Sequence, residues 1–276
     1  MEWRDEGILL WVRRHGESNV ILEALTQEHG RHAGLIRGGA SKTQAAILQP
    51  GAQLSLEWSA RLAEHLGTYK ADLISSRAAV IMTDRHRLAA LNAVSALLVQ
   101  FLPEREPNGE IYEISLKLMD MLGNENELAW PVQYAQWELS LLQVLGFGLD
   151  LSSCASTGMN EDLVYVSPRS GRAVCRAAGS AFADRMLPLP QFLIGRDRAK
   201  IADVREALRL TGYFLENWVC PSFDLKAMPD PRARLVRLLD SLEMIEEEED
   251  TGPEYDAEEI AWLAKFGQAP DEAVAD

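Results

Sequence analysis

The sequence is poor in the residue types that build secreted and membrane proteins. It has three cysteines in 276 residues, an odd number that is too small for a disulfide framework and is typical of a reducing compartment. It also lacks any run of about eighteen apolar residues, the length that a membrane-spanning helix needs. The first seven residues include three acids, whereas a secretory signal begins with basic residues and continues with an apolar stretch. We therefore expect a soluble cytoplasmic protein.

Basic residues are scarce as well. The chain has 27 Lys+Arg against 42 Asp+Glu, a net charge of -15, which argues against a nucleic-acid partner because phosphate binding needs clustered positive charge. The acidity is unevenly distributed, however: residues 243–276 contain 13 acids and one lysine, whereas residues 1–80 contain nine residues of each sign. Nucleic-acid binding by the N-terminal part would therefore depend on where single arginines lie.

Alternating apolar and polar residues in the first part of the chain predict β-strands. Residues 8–13 show the period of two that a strand with one buried face requires, and the same period returns in four later segments. Five short strands with a longer break between the third and the fourth are typical of a five-stranded OB-type β-barrel, a fold that binds oligonucleotides across its face. The predicted strands are residues 8–13, 20–25, 31–39, 52–58 and 66–74.

From Thr83 onward the apolar residues recur at helical spacing. Thr83 or Asp84 can cap the first helix, and Pro103 ends it. A Ser- and Gly-rich insertion at residues 149–180 interrupts the helical region and contains Cys154 and Cys175. The predicted helices are residues 84–102, 109–122, 131–145, 199–219 and 231–245, with a short strand at residues 163–166.

These patterns predict an α+β fold in three parts. Residues 1–80 form an OB-fold DNA-binding domain, residues 81–245 an α-helical domain, and residues 246–276 an acidic tail. We expect most of the tail to be disordered because it combines high net charge with few apolar residues. Within it, residues 257–266 have the spacing of a brief amphipathic helix.

Several cations of the predicted barrel are candidates for phosphate contacts. Arg31 and Arg37 are an even number of residues apart, so they share a face of the third strand, as Trp11 and Arg13 do on the first. Trp11 either stacks on a base or is buried beneath the helical domain. Nearby glutamates, among them Glu23, can neutralise some of these charges. The DNA-binding candidates are Arg13, Arg14, Arg31, Arg37, Lys42, Trp11 and Lys70, with Arg61 as a further one.

No catalytic or metal-binding pattern is recognisable in the barrel. The loop at residues 38–43 lacks the glycines of a P-loop, so it either connects a strand to a helix or offers backbone amides and Lys42 to a phosphate. His15, His29 and His32 fit no metal template and are interpreted as turn and surface histidines. We therefore predict a protein that is not an enzyme, with no cofactor and no metal.

The last predicted helix carries Arg232, Arg234 and Arg237. Arg234 and Arg237 are neighbours at i, i+3 on the helix surface. These arginines either form a solubilising face or make a cationic rim for an acidic peptide, whose carboxylates would pair with the guanidinium forks.

Two segments together resemble a known family. The opening strands, EGILLWVRRHGESNVILEALTQEHGRHAGLIRGGASK, end in Arg37-Gly38-Gly39, and a later helix runs from Glu138 into a Leu-Gly-Phe-Gly-Leu-Asp turn before the cysteine-bearing insertion. In this arrangement the chain resembles the bacterial recombination mediator family RecO. The resemblance covers roughly residues 1–239 and excludes the acidic tail.

The resemblance implies a non-enzymatic DNA-repair protein of the RecF recombination pathway, located in the cytoplasm at the nucleoid. Such proteins bind single- and double-stranded DNA and anneal complementary strands. With the partner RecR they help to load RecA on DNA coated by the single-strand-binding protein SSB, whose C-terminal tail docks on the helical domain.

The chain departs from the family pattern at the cysteines. Many RecO proteins carry four cysteines in two C-x-x-C pairs after the turn, enough for a closed tetrahedral zinc site. The corresponding positions here are Cys154, Thr157, Cys175 and Ala178, so two thiolates are missing, and Cys220 lies far along the chain. We expect a metal-free remnant of the zinc module in which the two cysteines act as small apolar residues.

Other functions compete with this one. The barrel and the acidic tail could serve a protein-interaction scaffold that binds no DNA, and a nuclease ranks third because the folded part shows no acidic metal cluster. A further hypothesis concerns the tail, which could compete with DNA for the basic strands because a tethered anion acts at high effective concentration.

Overall fold

The computed structural model describes residues 1–196 and 199–246. The chain forms two compact units. The first consists of Met1–Glu127 and Pro229–Leu235, and the second of Leu128–Met228 and the described chain from Val236. The change of period near residue 80 thus marks the end of the barrel strands, while the first unit continues through three more helices.

The first unit is built on five strands that close into a barrel in the order β1-β2-β3-β5-β4. The first strand pairs with two others. Its start pairs with β4, where Glu2 lies opposite Ser59, and its end pairs with β2, where His15 lies opposite Asn19. A parallel pairing of Leu35 with Thr68 joins β3 to β5. The strands are β1 (Glu2–His15), β2 (Asn19–Thr26), β3 (Gly30–Ile36), β4 (Gln53–Ser59) and β5 (Thr68–Ser75).

The five predicted strands are therefore confirmed, with two changes of boundary. The first strand begins six residues earlier than predicted, since Trp3 and Asp5 already alternate with exposed neighbours. The third strand ends at Ile36 rather than at residue 39. Gly38 has a φ of 68°, a left-handed conformation that turns the chain out of the sheet.

Apolar side chains fill the barrel and also cover one outer side of it. The interior includes Leu22, Leu54 and Leu56, all fully buried. On the outer side the cross-strand pair Ile8 and Leu25 is also buried, because a helix of the same unit contacts β1. Strands β1 and β2 are thus covered on both faces, which explains their nearly continuous apolar runs.

Four helices complete the first unit. Ser41 caps the first one by accepting a hydrogen bond from the Gln44 amide at 3.4 Å, and Asp84 caps the third by accepting from the His86 amide at 2.7 Å, as predicted for Asp84. The helix at Lys42 agrees with one of the two interpretations of the loop at residues 38–43, a connection from a strand to a helix, although its bounds were not predicted. The helices are α1 (Lys42–Ile47), α2 (Ala78–Ile81), α3 (Arg85–Phe101) and α4 (Gly109–Gly123).

Two buried arginines fasten α2–α4 within this unit. Arg77 donates from Nε to Asp120 of α4 at 2.9 Å and from Nη1 to the Gly51 carbonyl at 3.0 Å. Arg87 of α3 directs its guanidinium at the carbonyl groups that end α4, among them that of Met121 at 2.9 Å. The last carbonyls of a helix lack the amides of a following turn, so the arginine supplements the single bond that the Asn124 amide donates to the Met121 carbonyl at 3.3 Å.

The second unit combines long helices with a small sheet in the order β7-β6-β8. Helix α5 packs against α7, and between them the buried Glu138 accepts hydrogen bonds from the Tyr134 hydroxyl at 2.8 Å and the Thr211 hydroxyl at 2.5 Å. The predicted strand at residues 163–166 is confirmed as β6. The elements are α5 (Trp130–Val144), β6 (Leu163–Val166), β7 (Ala173–Cys175), α6 (Arg176–Gly179), β8 (Leu187–Pro188), α7 (Ile201–Phe214), α8 (Cys220–Ser222) and α9 (Asp230–Glu246).

The acidic tail and its predicted amphipathic helix lie almost entirely outside the described residues. Of the helices that the structure does describe, none combines the length and the apolar character needed to cross a membrane.

Candidate nucleic-acid interface

Four exposed cations gather at one end of the barrel, and we call Arg13, Arg14, Arg37 and Lys42 the barrel-end cations. Register places Arg14 on β1 and Arg37 at the end of β3, with β2 between them. Arg14 pairs with Val20 across β1 and β2, and Val20 pairs in turn with Ile36, the residue before Arg37. With neighbouring strands about 4.8 Å apart, the backbones of Arg14 and Arg37 are separated by about two strand spacings.

Hydrogen bonds draw the loop after β3 onto the turn between β1 and β2. The Asn19 side chain accepts from the Gly38 amide at 3.1 Å, and the Ser18 carbonyl accepts from the Ala40 amide at 3.0 Å. Gly39 packs so closely that a Cβ atom there would lie 2.5 Å from a Val20 methyl group. The loop therefore brings Lys42, at the start of α1, to the same end of the barrel.

The barrel-end cations have no ion pair within residues 1–196 and 199–246. Their surroundings contrast with those of Arg4 and Lys70, which lie 3.7 Å and 3.6 Å from the carboxylate oxygens of Glu57. An unpaired cation keeps its full charge available for a phosphate, whereas a paired one must first give up its carboxylate. Lys70 is 85% exposed and shares the Glu57 carboxylate with Arg4.

Trp11 is neither buried nor fully exposed. It pairs with Glu23 across β1 and β2, after an irregularity in the ladder at Leu9 and Trp11, and its ring is partly accessible. The Arg13 guanidinium carbon lies 5.5 Å from the centre of that ring. A cation over an indole face is held in place by the ring quadrupole. Trp11 therefore orients Arg13, which is one of the barrel-end cations.

Arg31 does not join this group, although the strand period puts it on one face with Arg37. Its guanidinium is 12% exposed, pairs with the buried Glu23 and donates from Nε to the Leu102 carbonyl at 2.9 Å. The prediction that Arg31 offers a free charge to DNA is therefore not supported by its position. Glu23 was named as a possible neutralising residue, and for Arg31 it is one.

His29 and His32 lie in an aromatic cluster, and the interpretation of His32 as a turn or surface histidine is wrong because the residue is buried. His32 is buried among Trp3, Trp58 and Tyr69, and its Nδ1 lies 3.0 Å from the Tyr69 hydroxyl. Burial, reinforced by the positive charge of Arg105, lowers the pKa of His32 to about 4. Burial also raises the pKa of Tyr69, so a neutral Tyr69 hydroxyl donates to a neutral imidazole.

The loop between β4 and β5 carries exposed side chains, of which the sequence analysis identified only Arg61. It runs over residues 60–67, and its tip exposes Arg61, Leu62 and Leu66. The Arg105 guanidinium holds the loop by donating to the carbonyls of Ala63 and, at 2.9 Å, His65. No periodic signal marks Arg105, because it lies in the irregular stretch between Pro103 and Pro107.

The cysteine-bearing insertion brings Cys154, Thr157 and Cys175 close together. Cys154 Sγ accepts from the Cys175 amide at 3.3 Å, and Thr157 Oγ1 lies 3.9 Å from Cys175 Sγ. That distance is close to the separation of about 3.8 Å between two thiolates that share a tetrahedral zinc at 2.3 Å. Within residues 1–196 and 199–246 no three His, Cys, Asp or Glu side chains converge, and the donor set does not fit zinc.

The same hydrogen bonds affect the Cys154 thiol. Burial opposes its ionisation, but the amides of Cys175, Thr157 and Ser156 and the Thr157 hydroxyl point at the sulfur and lower the pKa of Cys154 to about 6. Amides directed at a sulfur are the arrangement that stabilises a thiolate. The hydrogen bonds of this turn therefore stabilise the thiolate form of Cys154.

The three arginines of α9 do not share one environment. Arg232 is buried, with 5% of its surface exposed, whereas Arg234 and Arg237 are exposed. A cationic rim on this helix would therefore consist of Arg234 and Arg237, and Arg232 is not available for it.

Comparison with known proteins supplies the family. The model of the N-terminal region of recombination protein O matches residues 1–77, and the model of its C-terminal region matches residues 82–222. The DNA repair protein RecO of a Ruegeria species is 53% identical over 239 residues, which cover 87% of this chain and 98% of the relative. The RecO proteins of Cereibacter sphaeroides and Roseobacter denitrificans are 52% and 50% identical and are covered over 98% and 97% of their lengths. The chain therefore belongs to the RecO family of DNA repair proteins.

Proposed function

We propose that this protein is a recombination mediator that captures DNA strands through the end of its barrel. Family membership supports a role in DNA repair and recombination. The observation that carries the finer proposal is the group of barrel-end cations, four exposed charges on adjacent elements without an ion pair in the described chain. Charges in this state are available to replace the counterions of a phosphate backbone.

The topology supports the same proposal. The cyclic strand order β1-β2-β3-β5-β4 and a helix between β3 and β4 in sequence are features of an OB-type barrel, to which we assign the fold. Proteins with this barrel bind oligonucleotides across strands 2 and 3 and through the loops after strands 1 and 4. Arg13 and Arg14 lie at the end of β1, next to the first of these loops, and residues 60–67 form the second.

The proposed mechanism is electrostatic capture without sequence readout, in which the barrel-end cations contact phosphates. We propose that the captured strands are annealed and that, with RecR, the protein helps to load RecA on DNA covered by SSB. Docking of the acidic SSB tail on the helical domain belongs to this proposal, with Arg234 and Arg237 as its exposed cationic candidates. The proposed protein is not an enzyme, so it should leave DNA uncut in the presence of Mg²⁺.

The decisive experiment is binding of a fluorescent single-stranded oligonucleotide by the full chain over a series of salt concentrations. Each phosphate contact on a single strand contributes about -0.7 to the slope of log K against log salt. Changing Arg13, Arg14 and Arg37 together to Ala should therefore flatten the slope by about 2 and weaken binding most at low salt.

Arg4→Ala is the matched control. Arg4 lies on β1 as Arg13 and Arg14 do and its side chain is 68% exposed, but Glu57 is 3.7 Å away. Its loss should leave the slope unchanged. If the full chain fails to bind DNA at any salt concentration, the interaction scaffold takes the place of this proposal; if the triple variant keeps the slope of the parent, DNA binds elsewhere.

A further inference from the structure

The loop at residues 60–67 presents apolar side chains to solvent next to the barrel-end cations. Leu62 and Leu66 are 46% and 40% exposed, although most leucines of the barrel are fully buried. The Leu35 amide donates to the Gly67 carbonyl of this loop at 3.1 Å. Leu35 is two residues before Arg37, so the backbones of Leu66 and Arg37 lie within about 15 Å of each other.

The exposed leucines are held in place by contacts with other elements. The Arg105 backbone amide donates to the Arg31 carbonyl on β3 at 2.8 Å, while its guanidinium holds the carbonyls of Ala63 and His65. On the other side of the loop, Trp58 Nε1 donates to the Leu66 carbonyl at 3.0 Å. A loop fixed at both ends and in its middle pays little entropy when its side chains meet a ligand.

We infer that Leu62 and Leu66 form an apolar platform for unstacked nucleobases, beside cations that hold the phosphates of the same strand. The inference rests on the proposed DNA binding and specifies which part of the nucleic acid the loop contacts. A partner for this surface must be anionic along one side and apolar along the other, over a span of about 15 Å. A single DNA strand with its bases turned out has both properties, whereas base-paired DNA hides the apolar faces.

This arrangement gives the protein a preference for exposed bases. Apolar side chains at a protein–DNA surface stabilise bases that have left the stack, and phosphate contacts alone do not distinguish an unpaired strand from a paired one. The platform therefore predicts tighter binding to strands that carry bases than to a backbone of equal charge without them.

The experiment compares two probes with the full chain: an oligothymidylate and an abasic deoxyribose-phosphate strand of equal length. The parent should bind the oligothymidylate about five- to tenfold more tightly. The double variant Leu62→Ser, Leu66→Ser should lose that difference while keeping the salt slope of the parent, because no phosphate contact is removed.

The control is Leu73→Ser together with Ile74→Ser. These residues are 42% and 46% exposed and lie on β5 beyond the end next to the loop, so their loss should leave the preference unchanged. If the parent binds both probes equally, or if the leucine variant keeps the preference, the platform is refuted while DNA binding stands. Failure of the parent to bind either probe would instead refute the proposed function.

Discussion

Arg31 lies on β3, and Arg37 directly follows the end of that strand, six residues later. Their surroundings give them different roles. Arg31 is enclosed by Glu23 and the Leu102 carbonyl, so its charge is used inside the protein. Arg37 is exposed and has no ion pair in residues 1–196 and 199–246. A buried guanidinium that loses its carboxylate is costly, and an exposed one is not. Substitution of Arg31 therefore tests stability, and only substitution of Arg37 tests DNA binding.

His32 makes the stability of the barrel depend on pH. Its pKa is about 4 in the folded protein against 6.5 for an ordinary histidine. Between these values the unfolded chain binds a proton that the folded chain does not, so stability falls as pH drops from 6.5 to 4. The slope contributed by His32 is about 1.4 kcal/mol per pH unit, and the total loss is at most about 3 kcal/mol.

Urea denaturation of the full chain and of His32→Gln at several pH values measures this contribution. We expect the difference in unfolding free energy between the two proteins to change between pH 6.5 and 4 and to be constant above pH 7. His15→Gln, at an exposed turn position, is the control and should run parallel to the parent. A His32→Gln variant that also runs parallel would show that the pKa of His32 is the same in the folded and unfolded states.

At the scale of elements, the sequence predicted what depends on periodicity and missed what depends on single contacts. The five strands and the helices α3, α4 and α5 follow from apolar spacing. Helix α1 has only six residues and no buried one, so it leaves no apolar stripe; its cap at Ser41 was its only signal.

For the candidate site, too, sequence patterns identified some residues and missed those that depend on single distant contacts. Sequence reasoning identified Arg13, Arg14, Arg37 and Lys42 because exposed cations next to turns are visible in the sequence. It could not separate Arg31 from Arg37, since the Leu102 carbonyl that encloses Arg31 comes from the end of α3, 71 residues away. Arg105 was missed for the same reason, because its partners are backbone carbonyls of a distant loop.

Arg87 illustrates an element held by one side chain. Its guanidinium lies 2.7 to 3.3 Å from five carbonyl oxygens after or at the end of α4, and it is buried. Arg87→Leu should destabilise the first unit by about 3–5 kcal/mol, because several buried carbonyls lose their partner. Arg87→Lys should recover only part of this loss, since a single ammonium cannot match the planar fork.

The measurement is the free energy of unfolding in urea. Arg85→Leu is the control, because Arg85 is exposed on the same helix two residues earlier, and its effect should stay within about 0.5 kcal/mol. Equal losses for Arg85→Leu and Arg87→Leu would mean that the effect comes from the helix surface and not from the carbonyl contacts.

At the scale of the whole molecule, the chain carries strong acidity that the family pattern does not include. The relatives are covered over 97–99% of their own length, but only 86–87% of this chain is matched. The family models begin at residue 1 and end at residue 222, so most of the unmatched chain lies on the C-terminal side. Residues 243–276 carry 13 of the 42 acids, whereas the charges of residues 1–80 balance.

The tail is therefore predicted to regulate DNA binding through its charge. Changing Glu247, Glu248 and Glu249 to Gln and Asp250 to Asn in the full chain should raise the affinity for single-stranded DNA severalfold at low salt. The gain should shrink above about 0.15 M salt, where the Debye length falls to about 8 Å. The control neutralises four exposed acids of the described surface, Glu110, Glu113, Glu125 and Glu161, by the same Glu→Gln change. Both variants carry the same net charge, so an equal gain in both would show general repulsion of DNA, and a larger gain for the tail variant is what a tethered competitor requires.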